Sequence, residues 1–113
     1  MNESLGAKQK RFARLLPRLI DKAHDLGFEV SIGDVFRDPR VHGIFGVKKG
    51  YGAAKSVHKL KLAVDINLFW NGVLVKDTKD HQQLGEWWES QGGSWGGRFN
   101  DGNHYSLEHN GMR

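Results

Sequence analysis

Residues 62–75 read LAVDINLFWNGVLV, and this stretch decides the fold of the chain. Residues 62–69 form an apolar, strand-like run, and residues 73–75 supply a returning strand. Asn71-Gly72 separates the two runs and is the strongest short signal for a hairpin, because both residue types tolerate the positive φ of a two-residue turn. The stretch therefore predicts a β-hairpin.

Upstream of the hairpin, the pattern changes to that of a helix and then of a strand. Residues 4–26 place apolar side chains at helical spacing, and Gly27 is suited to ending the helix. Pro17 lies inside this pattern, so we expect a kink or a break there. A short strand is predicted over residues 28–32. Residues 36–56 are irregular and rich in glycine, as is typical of a functional or mobile loop.

Downstream, a second helix is predicted over residues 78–91, with Thr78 or Asp80 as its cap. A last short strand is expected around residues 104–107. The element order predicts an α+β fold, in which a small antiparallel sheet has helices packed on one side. Neither a repeat nor a linker is present, so residues 1–113 are expected to form a single domain.

The composition excludes several classes of site and partner. The 113 residues include no cysteine, so any metal must be bound by histidine, carboxylate and water. The net charge of +4 favours encounter with polyanions. The basic residues are scattered and form no long run, so nucleic acid is not expected as a partner.

The hydropathy of the chain also constrains where it is expected to act. No apolar stretch approaches the roughly 20 residues of a membrane span, so no stable membrane association is expected. The first ten residues are polar and lack the apolar core of a secretory signal. We expect a monomer made in the cytoplasm, which another component must carry to any substrate outside the membrane.

The strongest chemical signal is a set of histidines and carboxylates. His58 lies just before the predicted strand and Asp65 lies within it, while His104 opens the last strand. Antiparallel pairing could bring His104 beside Asp65, and catalytic zinc sites use three such protein ligands plus water. Asp101, three residues before His104, could then take a proton from the bound water as that water attacks.

These residues and their order resemble a known group of zinc peptidases. The group includes relatives of the D-Ala-D-Ala carboxypeptidases, the L-alanyl-D-glutamate endopeptidases of phage endolysins, and the hedgehog signalling domain. The similarity rests on the pattern Ser-x-His-x(6)-Asp followed by Asp-x-x-His, together with further segments spread over most of the chain: Phe36-Arg37, Gly43-Ile44-Phe45-Gly46, Lys49-Gly50-Tyr51-Gly52, residues 62–69 and Trp95-Gly96-Gly97-Arg98-Phe99.

The resemblance implies a hedgehog-like or D-Ala-D-Ala-peptidase-like fold that binds one Zn²⁺. By position, His58, Asp65 and His104 match the zinc ligands. Asp101 matches the general base, and Arg37 matches an arginine near the substrate carbonyl that can stabilise the developing oxyanion.

Two of the matched positions also have simpler interpretations. Arg37 could form only a surface ion pair with Asp34 or Asp38. Ser56 matches the motif serine near the substrate, but a turn or capping role is equally consistent with the sequence. Lys61 departs from the group, because several of its members have glycine there, and this puts local loop shape and substrate fit in question.

Three other residues are weaker candidates for the site. His42 lies in the long loop and could line the substrate cleft. Trp95 could also wall the cleft, although a structural role in its Trp-Gly-Gly turn is at least as well supported. His109 is close enough in sequence to be a rival ligand or a substrate contact, but His104 is preferred as the ligand because Asp101 precedes it at the right spacing.

The resemblance implies hydrolysis of peptidoglycan stem peptides, with bacterial peptidoglycan as the partner. The short single-domain form and the absence of a signal peptide favour an L-alanyl-D-glutamate endopeptidase that acts as a phage or prophage endolysin after holin-type release. The alternatives are a D-Ala-D-Ala carboxypeptidase or dipeptidase, and a non-catalytic, zinc-stabilised module that binds the cell wall.

Overall fold

Two helices and a five-stranded antiparallel sheet make up most of the described chain. The computed structural model describes residues 3–38, 40, 44, 48 and 56–113. The helices are α1 (Leu5–Asp25) and α2 (Gln82–Ser90), and the strands are β1 (Glu29–Ile32), β2 (Ala63–Trp70), β3 (Val73–Val75), β4 (Ser94–Trp95) and β5 (His104–Ser106). Short 3-10 helices span Val57–Leu60, Thr78–His81 and Gly96–Phe99. The predicted α+β class is confirmed.

Strand β2 is the centre of the sheet, because it pairs with three other strands. Residues 66–69 of β2 pair with β1 on one edge. Along the other edge, residues 63–65 pair with β5 and residues 68–70 pair with β3. Strand β4 extends the sheet beyond β5. The end of β2 that carries Asp65 therefore lies between β5 and the residues that follow β1.

The core lies on one face of β2, and the candidate metal ligand Asp65 lies on the other. Val64, Ile66 and Leu68 are fully buried, whereas the alternate residues Asp65 and Asn67 are only partly buried. This separation follows from the two-residue period of a strand. Helix α1 contributes a buried apolar stripe to the same core, formed by Phe12, Leu15, Leu19 and Ala23. Each fully buried aliphatic side chain contributes roughly 1.5–3 kcal/mol to folding.

The predicted hairpin is confirmed at the residues that specified it. Asn71 has φ of 51° and Gly72 has φ of 77°, and the turn joins β2 to β3. The break considered at Pro17 is absent, because α1 continues through this residue. Pro17 is exposed, and the buried Leu15 and Leu19 on either side hold the helix against the core despite the missing N–H.

The second predicted helix begins differently from the expectation. Its first turn is the 3-10 helix Thr78–His81, and the N-cap is Asp77 rather than Thr78 or Asp80. The carboxylate of Asp80 instead accepts a hydrogen bond from the Asp77 backbone N–H at 3.2 Å. Most of the predicted loop 36–56 lies outside the described residues. Within the described ranges, neither helix has the length and apolar character that crossing a bilayer requires.

Candidate metal centre

Asp65 and His104 are direct register partners across β2 and β5. The backbone of Asp65 is also fixed from the other side. Its carbonyl accepts a hydrogen bond from Gly33 N–H at 2.8 Å, and its N–H donates to the Asp34 carbonyl at 2.7 Å. Regular strand pairing therefore places the carboxylate beside the imidazole, as the sequence suggested.

His58 reaches the same point from the 3-10 helix Val57–Leu60, which directly precedes β2. Ser56 caps this helix, and its hydroxyl oxygen accepts a hydrogen bond from the His58 backbone N–H at 3.2 Å. The His58 Nδ1 lies 3.0 Å from the Val35 carbonyl oxygen, which can only accept, so Nδ1 carries the proton. When this ring is neutral, Nε2 carries a free lone pair, which is the form in which imidazole binds metals.

The three side chains form a compact donor group. One ligand atom from each of His58, Asp65 and His104 lies within 4.8 Å of the other two. The Asp65 Oδ1 is 3.3 Å from His58 Nε2 and 3.5 Å from His104 Nδ1. Both histidines are buried.

The His58 Nε2 is buried and has no hydrogen-bond partner among the described residues. Leaving such an atom unsatisfied is costly, and a cation at this point would satisfy it. Two imidazoles and one carboxylate suit zinc, and three protein ligands leave a position open for water or substrate. The residues present therefore fit one divalent ion.

The carboxyl group of Asp65 stays ionised in this setting. Burial raises its pKa, but the hydrogen bonds and positive charge that the imidazoles of His104 and His58 supply when protonated outweigh that effect and hold the pKa well below its usual range. An ionised carboxylate between two imidazoles is the state that a divalent cation requires.

Two members of the donor group, His58 and His104, line a cleft of about 190 Å³. Its lining brings together residues from distant parts of the sequence: Arg37, Ser56, His58, Phe99, Asp101, His104 and Arg113. The cleft therefore contains a carboxylate outside the donor group and two guanidinium groups beside it. A larger cavity of about 270 Å³ on α1 is lined by Ala7, Lys10, Arg11 and Arg14, and it contains neither a carboxylate nor an imidazole.

Arg37 makes the ion pair considered from the sequence and also lines the cleft. Its Nε lies 3.3 Å from Asp34 Oδ2, and its Nη1 donates to Ser56 Oγ at 3.1 Å. Its side chain is only 16% exposed, so the guanidinium is held in one position. Ser56 therefore acts as a cap and also joins Arg37 to the helix that carries His58.

Asp101 is placed by a tight turn between the 3-10 helix Gly96–Phe99 and β5. Its N–H donates to the Gly96 carbonyl at 2.8 Å, and its carbonyl accepts from His104 N–H at 3.0 Å. A Cβ on Gly96 would lie 2.1 Å from the Asp101 carbonyl oxygen and 2.7 Å from His104 Cβ. Gly96 therefore permits the close approach that sets Asp101 beside the donor group.

The structure favours the structural role for Trp95 over the substrate contact. Trp95 is 3% exposed, and its Nε1 donates to the Gly102 carbonyl at 2.7 Å. Its ring packs against Gly85 and Gly97, so the indole supports the turn from within the core.

Two further histidines were considered as site residues from the sequence, His42 and His109. His42 lies outside the described residues, so its predicted place in the cleft stays a prediction. His109 is not a member of the donor group, and its Nδ1 lies 3.2 Å from Lys8 Nζ. The structure thus groups His104, and not its rival, with Asp65.

Phe99 and Arg113 line the cleft but were not singled out as functional from the sequence. Phe99 stands at the end of the Trp-Gly-Gly-Arg-Phe segment that carries part of the resemblance, so a signal for it was present. Arg113 has no such signal, since its position depends on a turn that follows β5.

Comparison with protein-family profiles gives independent evidence on the family of this chain. A profile of the family described as D-alanyl-D-alanine carboxypeptidase matches residues 49–107, which is 59 of the 113 residues. The chain belongs to the D-alanyl-D-alanine carboxypeptidase family. The matched segment contains the whole donor group and Asp101, whereas Arg37 precedes it. No curated protein sequence matches the chain.

Membership in the carboxypeptidase family agrees with the resemblance found in the sequence. It supports a peptidoglycan peptidase, and the buried donor group can hold the metal ion of such an enzyme.

Proposed function

We propose that the chain is a single-domain zinc peptidase that cleaves the L-alanyl-D-glutamate bond of peptidoglycan stem peptides. The observation that carries this proposal is the common cleft. The donors His58, Asp65 and His104 lie together, and the two histidines line the same space as Asp101 and Arg37. A metal-binding group, a separate carboxylate and a fixed cation are the parts that amide hydrolysis needs.

A zinc ion held by His58, Asp65 and His104 supplies Lewis-acid polarisation and a more acidic water molecule. Asp101 is exposed at the cleft and is not part of the donor group, so its carboxylate is available as a base. It accepts a proton from the attacking water and returns one to the leaving amine. The turn between Gly96 and His104 holds Asp101 beside the donors for both transfers.

Arg37 stabilises the negative charge that develops on the carbonyl oxygen. Its contacts with Asp34 and Ser56 fix the guanidinium before substrate binds, so little reorganisation is needed. A preorganised N–H donor aimed at a developing oxyanion typically lowers the activation barrier by about 3–4 kcal/mol. In this proposal, Ser56 affects substrate binding mainly by holding Arg37.

Product analysis on purified peptidoglycan tests the proposal directly. Digestion should create new N-terminal D-glutamate, chelator should abolish it, and added zinc should restore it. Release of D-alanine would instead support the carboxypeptidase alternative, which the description of the matched family favours. Binding to the wall without any soluble product would support the non-catalytic module.

We further propose that the enzyme acts as a monomeric endolysin on the bacterial wall. Its net charge of +4 favours attraction to an anionic wall. A holin-type pore-forming protein would provide the route across the membrane. Expression in the bacterial cytoplasm should therefore leave cells intact, whereas co-expression with a pore-forming protein should lyse them. Lysis without the pore-forming protein would count against this route.

A further inference from the structure

Arg113 is held at the mouth of the cleft by a short turn of its own. His109 and Met112 exchange two backbone hydrogen bonds of 2.9 Å, and the two residues between them, Asn110 and Gly111, have φ of 49° and 82°. This closed turn directs the chain back towards the cleft that Arg113 lines.

The turn is tied to the rest of the domain. Lys8 Nζ on α1 donates to the Glu108 carbonyl at 2.9 Å and lies 3.2 Å from His109 Nδ1. Met112 is partly buried and packs against the core. The position of Arg113 is therefore set by hydrogen bonds and packing.

The guanidinium of Arg113 lies over the ring of Phe99, 5.5 Å from its centroid. The Phe99 ring in turn contacts the imidazole of His104 edge-on, with centroids 5.8 Å apart. Stacking on an aromatic face orients the planar guanidinium and leaves its N–H groups free to bind a ligand. Among the described residues, no carboxylate forms an ion pair with Arg113.

We propose that Arg113 is a specificity residue that binds a free carboxylate of the substrate. The inference rests on the proposed peptidase function and names a recognition element within the same cleft. A planar guanidinium matches a carboxylate with two parallel hydrogen bonds. Arg37 is already engaged by Asp34 and Ser56, so the two arginines have different tasks. Arg37 serves the carbonyl oxygen, and Arg113 serves the carboxylate.

The different tasks of Arg37 and Arg113 define the substrate class. The residue on the leaving side of the scissile bond should carry a free α-carboxylate, as D-glutamate does when its side chain continues the peptide. When an amide replaces that carboxylate, the charge-assisted contact with Arg113 is lost. The enzyme should therefore prefer stem peptides with free D-glutamate over the amidated form.

Two synthetic stem peptides that differ only in this carboxylate or amide test the proposal. With zinc-loaded wild type, we expect KM for the carboxylate peptide to be about 3- to 10-fold lower than for the amide, as for a partly exposed ion pair. Arg113→Gln should raise KM for the carboxylate peptide to the amide value and leave kcat unchanged. Arg113→Lys should retain part of the preference.

Arg18→Gln is the matched control, because it removes the same charge from an exposed position on α1, away from the residues that line the cleft. It should leave the preference intact. Equal cleavage of the two peptides by wild type, or an equal effect of Arg113→Gln on both, would overturn the role of Arg113 while leaving the peptidase proposal in place.

A binding measurement separates failure of this inference from failure of the proposed function. Calorimetry with zinc-loaded Asp101→Asn, alone and combined with Arg113→Gln, compares the affinities of the two peptides without turnover. If wild type cleaves neither peptide, the proposed function fails. In that case the difference in affinity between the carboxylate and amide peptides still decides the role of Arg113. Equal affinities for the two peptides would overturn that role.

Discussion

Asp65 and His104 face each other across the β2–β5 pairing, with His104 Nδ1 3.5 Å from Asp65 Oδ1. Two of the three donors are thus held by a strand ladder, and His58 is held by a capped 3-10 helix that leads into the same strand. Sites built on regular elements are more rigid than sites built on loops. The donor geometry should therefore be largely formed before a metal binds.

Replacing Asp65 should abolish tight metal binding. Wild type is expected to bind one Zn²⁺ per chain, whereas Asp65→Asn should bind it at least about 100-fold more weakly, because a neutral amide replaces the anionic donor between two imidazoles. Metal analysis after dialysis and competition with a chromogenic chelator measure the change. Asp21→Asn makes the same chemical change at an exposed position of α1 and should bind zinc like wild type.

Replacing Asp101 should separate chemistry from metal binding. Asp101→Asn should lower kcat by about 10²- to 10⁴-fold, because the variant lacks the base that takes the proton from water. Its zinc content should match that of wild type, since Asp101 is outside the donor group. Kinetics with a defined stem peptide and metal analysis on the same sample are the measurements. Full activity in this variant would remove Asp101 from the mechanism.

Gly96 should be intolerant of any side chain. Gly96→Ala places a Cβ 2.1 Å from the Asp101 carbonyl oxygen and 2.7 Å from His104 Cβ. We expect a loss of about 1–3 kcal/mol in the free energy of unfolding, together with weaker zinc binding, because the turn and His104 must shift. Urea unfolding and zinc titration measure the two effects.

Gly6→Ala is the informative control for this substitution. Gly6 is in α1, and a Cβ there would meet nothing within 4 Å. Alanine should therefore stabilise the protein by up to about 1 kcal/mol through helix propensity alone. If Gly96→Ala and Gly6→Ala had the same unfolding free energy and the same zinc affinity, the close approach at Gly96 would not determine either property.

The buried His81 should make stability depend on pH. Its Nδ1 lies 2.7 Å from the Tyr105 hydroxyl, and burial lowers its pKa from 6.5 to about 4, although Asp80 opposes the shift. Between these values the unfolded chain binds more protons than the folded chain, so stability falls as the pH falls from about 6.5 towards 4. The total loss should be about 3 kcal/mol, with nothing lost above about pH 6.5.

Urea unfolding at several pH values isolates this contribution when wild type is compared with His81→Gln. Glutamine can still hydrogen-bond to Tyr105 but does not titrate. The difference in unfolding free energy between the two proteins should therefore shrink as the pH falls below about 6.5. Parallel pH profiles for the two proteins would show that His81 is not the responsible group.

Lys61 occupies a backbone conformation that glycine prefers. It ends the 3-10 helix Val57–Leu60 with φ of 60° and ψ of 36°, and its Nζ lies 5.3 Å from the centre of the Phe36 ring. Lys61→Gly should change stability by at most about 1 kcal/mol, because relief of the left-handed conformation is offset by greater freedom of the unfolded chain and loss of the Phe36 contact. Lys61→Val should be clearly destabilising. Thermal unfolding of both variants checks whether Lys61→Val is less stable than Lys61→Gly.

Local patterns made much of this fold predictable. The Asn71-Gly72 turn carries its own φ preference, and the alternation along residues 64–68 specifies which face of β2 is buried. The pairing of Asp65 with His104 could also be proposed, because both lie in short strands that an antiparallel sheet can place side by side.

Features that depend on tertiary packing could not be predicted in the same way. Pro17 stays within a continuous helix because neighbouring leucines are buried, which is a property of the core and not of the residue. The burial of Trp95 depends on its packing against Gly85 in α2, and the place of Arg113 depends on a turn anchored to α1. No local pattern encodes these contacts.

The central position of β2 has a consequence for folding kinetics. Its pairing with β3 closes a loop of two residues, whereas its pairing with β5 joins segments about forty residues apart and therefore costs more chain entropy to form. The hairpin should form early in folding, and the pairing of Asp65 with His104 should form late. Capture of a zinc ion should then report completion of folding, and partly folded chains should be unable to retain it.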